Sequence, residues 1–245
     1  MNHSFHIPVL GLGFSIDTPL KVARYGISSV VSIVDDELIE RMRQYHSEKN
    51  NKPYQQIKKT DEDHRARRTT LYLNLLNDLV NEQFSELQKQ AFTPESDITR
   101  YFELLPDNTM CKQVYKEMLS ANDAVTKTML QENLRLYLRK GAVEVNIMSK
   151  VDKMNKSKDG SLLGEKFSDA LASLRGFALS DLNSSLILSA GMNPRLYNYL
   201  SEFDCFHPNS TEKKKIVLKV SDFRSALIQA KFLAKKGLWV HEFRI

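Results

Sequence analysis

A lysine set inside an apolar run is the first residue of this chain that could do chemistry. In Ile216-Val217-Leu218-Lys219-Val220, strand alternation sets Lys219 with Val217 and against Leu218 and Val220, so it is expected to project inward from a buried strand. A buried ammonium is costly unless paired or used. In use it anchors an anionic substrate or forms a Schiff base with a carbonyl. Lys150, just past the run Ala142 to Met148, is the second candidate of this kind. Glu242 is the third catalytic candidate; it shares a face with Val240 and Arg244, and a surface ion pair is the competing reading. Ser15, Asn146 and Ser189 fall at the carboxyl ends of apolar runs, where parallel β/α folds bind ligands. Gly11 and Gly13, in Phe5 to Phe14 (FHIPVLGLGF), let something approach the backbone closely. Asp17, Asp36, Asn193 and Asp222 also lie near such ends, but they stand where helix N-caps are expected.

Several chemistries find no local motif. GLGF lacks the spacing of GxGxxG, and the chain has no Walker lysine loop, GxSxG elbow or HExxH helix. Its two cysteines, Cys111 and Cys205, are far apart and outside any Cys/His spacing, so no metal site is expected. With 35 basic against 30 acidic residues the formal charge is +5, too slight and too dispersed for a nucleic-acid binder. The apolar run near the N-terminus is too short to span a membrane and is broken by its glycines, which makes the cytoplasm the default location. A content of 42% hydrophobic and 27% charged residues is that of a folded protein.

The elements that must position these residues alternate. Residues 1–45 read as strand, Pro19-started helix closed by Gly26, strand Ile27 to Val34, and helix. Residues 46–140 break the rhythm. A polar stretch, 46–68, reads as an exposed excursion, and four helices follow over roughly 69–90, 94–105, 108–120 and 121–139. Residues 141–245 resume with strands over 142–148, 184–190, 216–220 and 238–245, separated by helices. The fold class is therefore α/β: a parallel β/α, TIM-barrel-like sheet, incomplete at about six strands, carrying an all-helical insertion. The two flanking blocks belong to one domain, and the insertion, over 69–139, is the expected surface for a protein partner or self-association.

The opening strand with its close glycines, the helix start SIDTPLKVARYGI, the second strand ISSVVSIVDD and the late KVSDFRSALIQAKFLAKKGLWVHEFRI together resemble FMN-dependent (β/α)8 barrels of the nitronate monooxygenase and glutamate synthase type. The similarity spans about 150 residues of strand and helix grammar, and the insertion has no counterpart in it. It implies a flavin oxidoreductase acting on a small anionic substrate, with FMN over the barrel mouth and Lys219 beside it. In those barrels, glycine-rich loops after strands seven and eight bind the phosphate, and this chain counts only six. The chain is thus expected to be such an enzyme or the N-terminal portion of one. A lysine-dependent lyase or aldolase and a non-catalytic scaffold are the alternatives.

Overall fold

A computed structural model describes residues 6–7, 15–33, 35–147, 152, 154–157, 159–188, 191–211 and 214–245. In chain order the elements are β1 (His6–Ile7), α1 (Thr18–Val22), β2 (Ser28–Ile33), α2 (Asp36–Lys49), α3 (His64–Lys89), α4 (Asp97–Glu103), α5 (Met110–Ser120), α6 (Ala124–Tyr137), β3 (Val143–Ile147), α7 (Asp169–Ala178), β4 (Ser185–Leu188), α8 (Pro194–Leu200), β5 (Lys215–Lys219), α9 (Phe223–Ala234) and β6 (Val240–Arg244). Caps expected from the sequence form at Asn193, which accepts from Leu196 N–H (3.1 Å), and at Asp222, which accepts from Ser225 N–H (2.8 Å). Gly26 takes the left-handed conformation, φ 81°, after α1 and its 3₁₀ extension. Before α2 the cap is Asp35 rather than Asp36, because only Asp35 is extended and free to fold back onto the N–H groups of Glu37 and Leu38.

The six strands lie side by side in the order β1-β2-β3-β4-β5-β6, and every neighbouring pair is parallel. Each crossover advances one strand in the same direction, so right-handed connections put the helices on one face only. A doubly wound sheet would reverse its order midway. Val31, Ile33, Val145, Ile147, Leu186, Leu188 and Leu218 turn to that helical face, where Tyr72, Leu76, Leu174, Phe177 and Leu196 meet them. On the opposite face Val30, Ile187 and Val217 form a small core of their own, although β2 and β4 are not neighbours.

The sheet is curled toward that opposite face. Glu144 on β3 and Arg244 on β6 make a two-pronged ion pair, 3.0 and 3.1 Å, across β4 and β5. In a flat sheet their strands would stand roughly 14 Å apart, a gap that side chains rising off the surface do not close. The fold is accordingly an open, barrel-like α/β sheet with a concave face.

The helical stretch divides in two. α3 covers the sheet, with Tyr72, Leu73, Leu76, Leu79 and Val80 buried in the main core. Leu71, on the same helix, is exposed. α4, α5 and α6 close a second core around Leu87, Tyr101, Phe102, Met118 and Leu134, tied to the barrel through Tyr25 and Ile27. Residues 46–68 are not a free excursion. They comprise the end of α2, a loop and the first turn of α3, and the loop is pinned by buried Ile57. Ile57 N–H donates to Glu40 (2.8 Å), its carbonyl accepts from Arg68 Nε (3.0 Å), and Glu40 is held by Arg43 (2.7 Å).

Candidate functional site

In VVSIV and in VEVNI the same alternation that sends valine and isoleucine to the helices sends a polar residue to the concave face. Ser32 and Asn146 are register partners on β2 and β3, and both are buried. Ser15, also buried, lies beside them: its carbonyl accepts from Ser32 N–H (2.9 Å). The floor of the curl therefore carries a serine and an amide at the carboxyl ends of two adjacent strands, β2 and β3, with the Ser15 backbone beside them.

Ser32 Oγ is buried and, among the described residues, has no hydrogen-bond partner. An unpaired buried hydroxyl costs about 1 kcal/mol or more, so an unmatched polar group here marks a position a ligand can satisfy. Ser29 and Ser184 also keep unpartnered hydroxyls, but alternation sets both on the helical side. Sequence reading singled out Ser15 and Asn146 and missed Ser32; the signal available was that Ser32 and Asn146 occupy the same phase of their two strands.

Arg244 closes the other side of the curl. It binds Glu144 through both terminal nitrogens and Glu242 through Nε (2.6 Å). Partial burial works against its charge, yet the hydrogen bonds to Glu242 and Glu144 outweigh that and raise its pKa above the ordinary arginine value. Glu242, a catalytic candidate, is thus one arm of a carboxylate–guanidinium–carboxylate bridge.

Lys219 corrects the expectation placed on it. It does share the concave face with Val217, but it is exposed rather than buried. The reason is positional. Its register partner is Arg244 on β6, which among the described residues pairs with β5 alone, so no further strand rises beside the lysine. Gly11, Gly13, Lys150 and Ser189 lie outside the described residues.

The aspartates nearby are structural cross-links. Asp36 pairs with Arg68 (2.6 Å) and Arg65 (3.3 Å), and His64 stands 3.8 Å away. Burial, aided by Arg65, holds the His64 pKa below its usual value, so its imidazole is neutral at pH 7. Asp17 stands at the N-cap of α1 but does not cap it; it pairs with Lys21 (3.0 Å) and lies 3.5 Å from buried His46. His46, with Lys21 in support, outweighs burial and pulls the Asp17 pKa down to about 2. A lowered carboxylate pKa contributes stability that is present above the unfolded value, near 4, and lost as pH falls through about 2. Asp17→Asn is therefore expected to cost about 2 kcal/mol at pH 7 and to flatten the fall in stability between pH 4 and 2. Urea titrations across that range measure both.

Among the described residues no group of three or more His, Cys, Asp and Glu side chains could hold a metal ion, and no helix is long and apolar enough to cross a membrane. No family model, curated protein or solved structure matches the chain.

Proposed function

We propose that the concave face binds a small molecule and that the chain is a TIM-barrel-type flavin oxidoreductase, or a portion of one, acting on a small anionic substrate. The observation that carries this reading is the unpartnered Ser32 hydroxyl beside buried Asn146, at the end of the sheet where β/α folds hold ligands. The pyrimidine edge of an isoalloxazine ring offers alternating carbonyl oxygens and ring nitrogens. A serine hydroxyl and a carboxamide, each able to donate and accept, match that edge in kind. For the phosphate, Lys219 is a concave-face cation that no acidic residue pairs with among the described residues. A bound flavin would supply hydride acceptance. The chain's own residues would orient it, Ser32 and Asn146 at the ring and Lys219 toward the phosphate, while Val30, Ile187 and Val217 keep the floor dry.

The exposure of Lys219 weighs against the Schiff-base alternative, because that chemistry favours an amine desolvated in an apolar pocket. Titration of the protein with FMN, followed by quenching of flavin fluorescence, tests the proposal. Saturable binding is expected, weakened about tenfold in Asn146→Ala, the worth of one lost hydrogen bond. No saturable quenching with the folded wild type would sink it.

A further inference from the structure

The outer edge of β6 and the flank of α9 beside it form a surface that nothing within the described residues covers. Among the described residues β6 pairs only with β5. Next to this edge stand Phe243 (46% exposed), Phe223 (80%) and Leu227 (41%), three large apolar side chains where a monomer usually shows isolated ones. An unpaired edge strand is a template for another strand, and proteins usually guard such an edge with lysine, proline or inward-turned charge. β6, Val-His-Glu-Phe-Arg, has neither lysine nor proline, and its charges are arranged in a way that invites one particular partner.

That partner is β6 itself. If two copies of the strand pair antiparallel about a two-fold axis at Phe243, Glu242 falls opposite Arg244 of the second copy and Arg244 opposite its Glu242. Opposite charges then face each other twice on the concave side, and the two Phe243 rings meet on the helical side. Cross-strand pairs of both kinds are favourable. A two-fold contact must be self-complementary in this sense. Within one protomer Arg244 already binds Glu242 (2.6 Å) and, inward across the concave face, Glu144 (3.0 Å), so Glu242 of a second copy would add to an existing bridge. The same axis brings α9 alongside its copy, with Phe223 and Leu227 between them and Arg224 and Lys231 at the margin.

We infer that this chain forms a symmetric homodimer through antiparallel β6–β6 pairing about Phe243, with the α9 helices packed across the axis. The inference stands apart from the flavin reading, since it uses neither Ser32 nor Asn146.

Sedimentation equilibrium of the full chain is the test. A reversible dimer is expected. Phe243→Lys sets like charges on the axis and is expected to weaken association at least tenfold, as is Phe223→Glu. Both positions are exposed, so thermal melts of these variants should still show a single cooperative transition. Phe243→Cys adds a geometric arm: two cysteines on the axis of an antiparallel pair lie within disulfide reach, so mild oxidation should link the dimer covalently, whereas Phe223→Cys serves as the off-strand comparison. A wild-type chain that stays monomeric up to its solubility limit overturns the inference. A dimer that survives Phe243→Lys undiminished, or a Phe243→Cys variant that does not cross-link, places the contact elsewhere and overturns it too. If a separate β/α polypeptide, and not a second copy, is what the edge accepts, the purified chain alone shows the monomer result.

Discussion

Gly141→Ala is expected to destabilise the protein by about 3 kcal/mol, the upper part of what overpacking a rigid site costs. A Cβ built at this glycine would lie 2.1 Å from the carbonyl oxygen of Ile27, 2.3 Å from its carbonyl carbon and 2.8 Å from Ser28 N. All three are backbone atoms at the start of β2, so no side chain can swing aside. Relief requires β2 and β3 to part at their amino ends, where Gly141 N–H also donates to Ala23 O (2.8 Å) and Ser29 N–H to Ala142 O (3.0 Å). Ile27 belongs to the second core as well, so the strain reaches the packing of α4–α6 against the barrel. Gly164→Ala is the control: its nearest contact would be Phe167 Cδ2 at 3.9 Å, an ordinary distance, and the change should stay within about 0.5 kcal/mol. Denaturation midpoints at constant m-value report both. A Gly141→Ala loss below about 1 kcal/mol would show that the two strands have slack at that end.

The strands and most caps were legible because each is written locally. β-branched apolar runs announced β2, β3, β4 and β5, and Asn193 and Asp222 sit where a cap must. What was not legible depends on partners far along the chain. Alternation puts Lys219 on the correct face, but it says nothing about how many strands stand beyond β5, and with only β6 there among the described residues the lysine is exposed. The 46–68 stretch reads as solvent-exposed by composition, yet a single isoleucine and three ionic side chains, Glu40, Arg43 and Arg68, suffice to fix its loop. α3 reads as one of four similar amphipathic helices, and only its packing against α7, with Gly176 close enough that a Cβ would stand 2.6 Å from Thr69 Cβ, makes it part of the barrel wall. Ser32 escaped notice because a serine in an apolar strand carries no signal until its neighbour in register is known to be Asn146.

One ion pair spans the curl that shapes the site, and removing its arginine alone should cost more than removing both partners. Glu144 is buried, its side chain 7% exposed, and both its oxygens accept from Arg244. Arg244→Met takes away the guanidinium and leaves a carboxylate on the concave face without its two-pronged partner, for an expected loss of about 3 kcal/mol. In Glu144→Gln the arginine keeps Glu242 (2.6 Å) and 24% of its side chain meets solvent, so the loss should be smaller, about 1–2 kcal/mol. Combining the two changes removes the buried charge along with its partner. The double variant should recover at least about 2 kcal/mol relative to the sum of the single losses, so that it is no less stable than Arg244→Met alone, a coupling that a double-mutant cycle reads directly. Because Arg244 also lies in the proposed dimer contact, beside its axis, the cycle is to be run at one protomer concentration and repeated in the Phe243→Lys background. Additive losses in that background would mean that Glu144 and Arg244 do not feel each other, and that the curvature of the sheet rests instead on the apolar contact of Val30, Ile187 and Val217. A strong coupling ties the shape of the floor to the bridge, and then FMN binding at Ser32 and Asn146 should weaken in Arg244→Met.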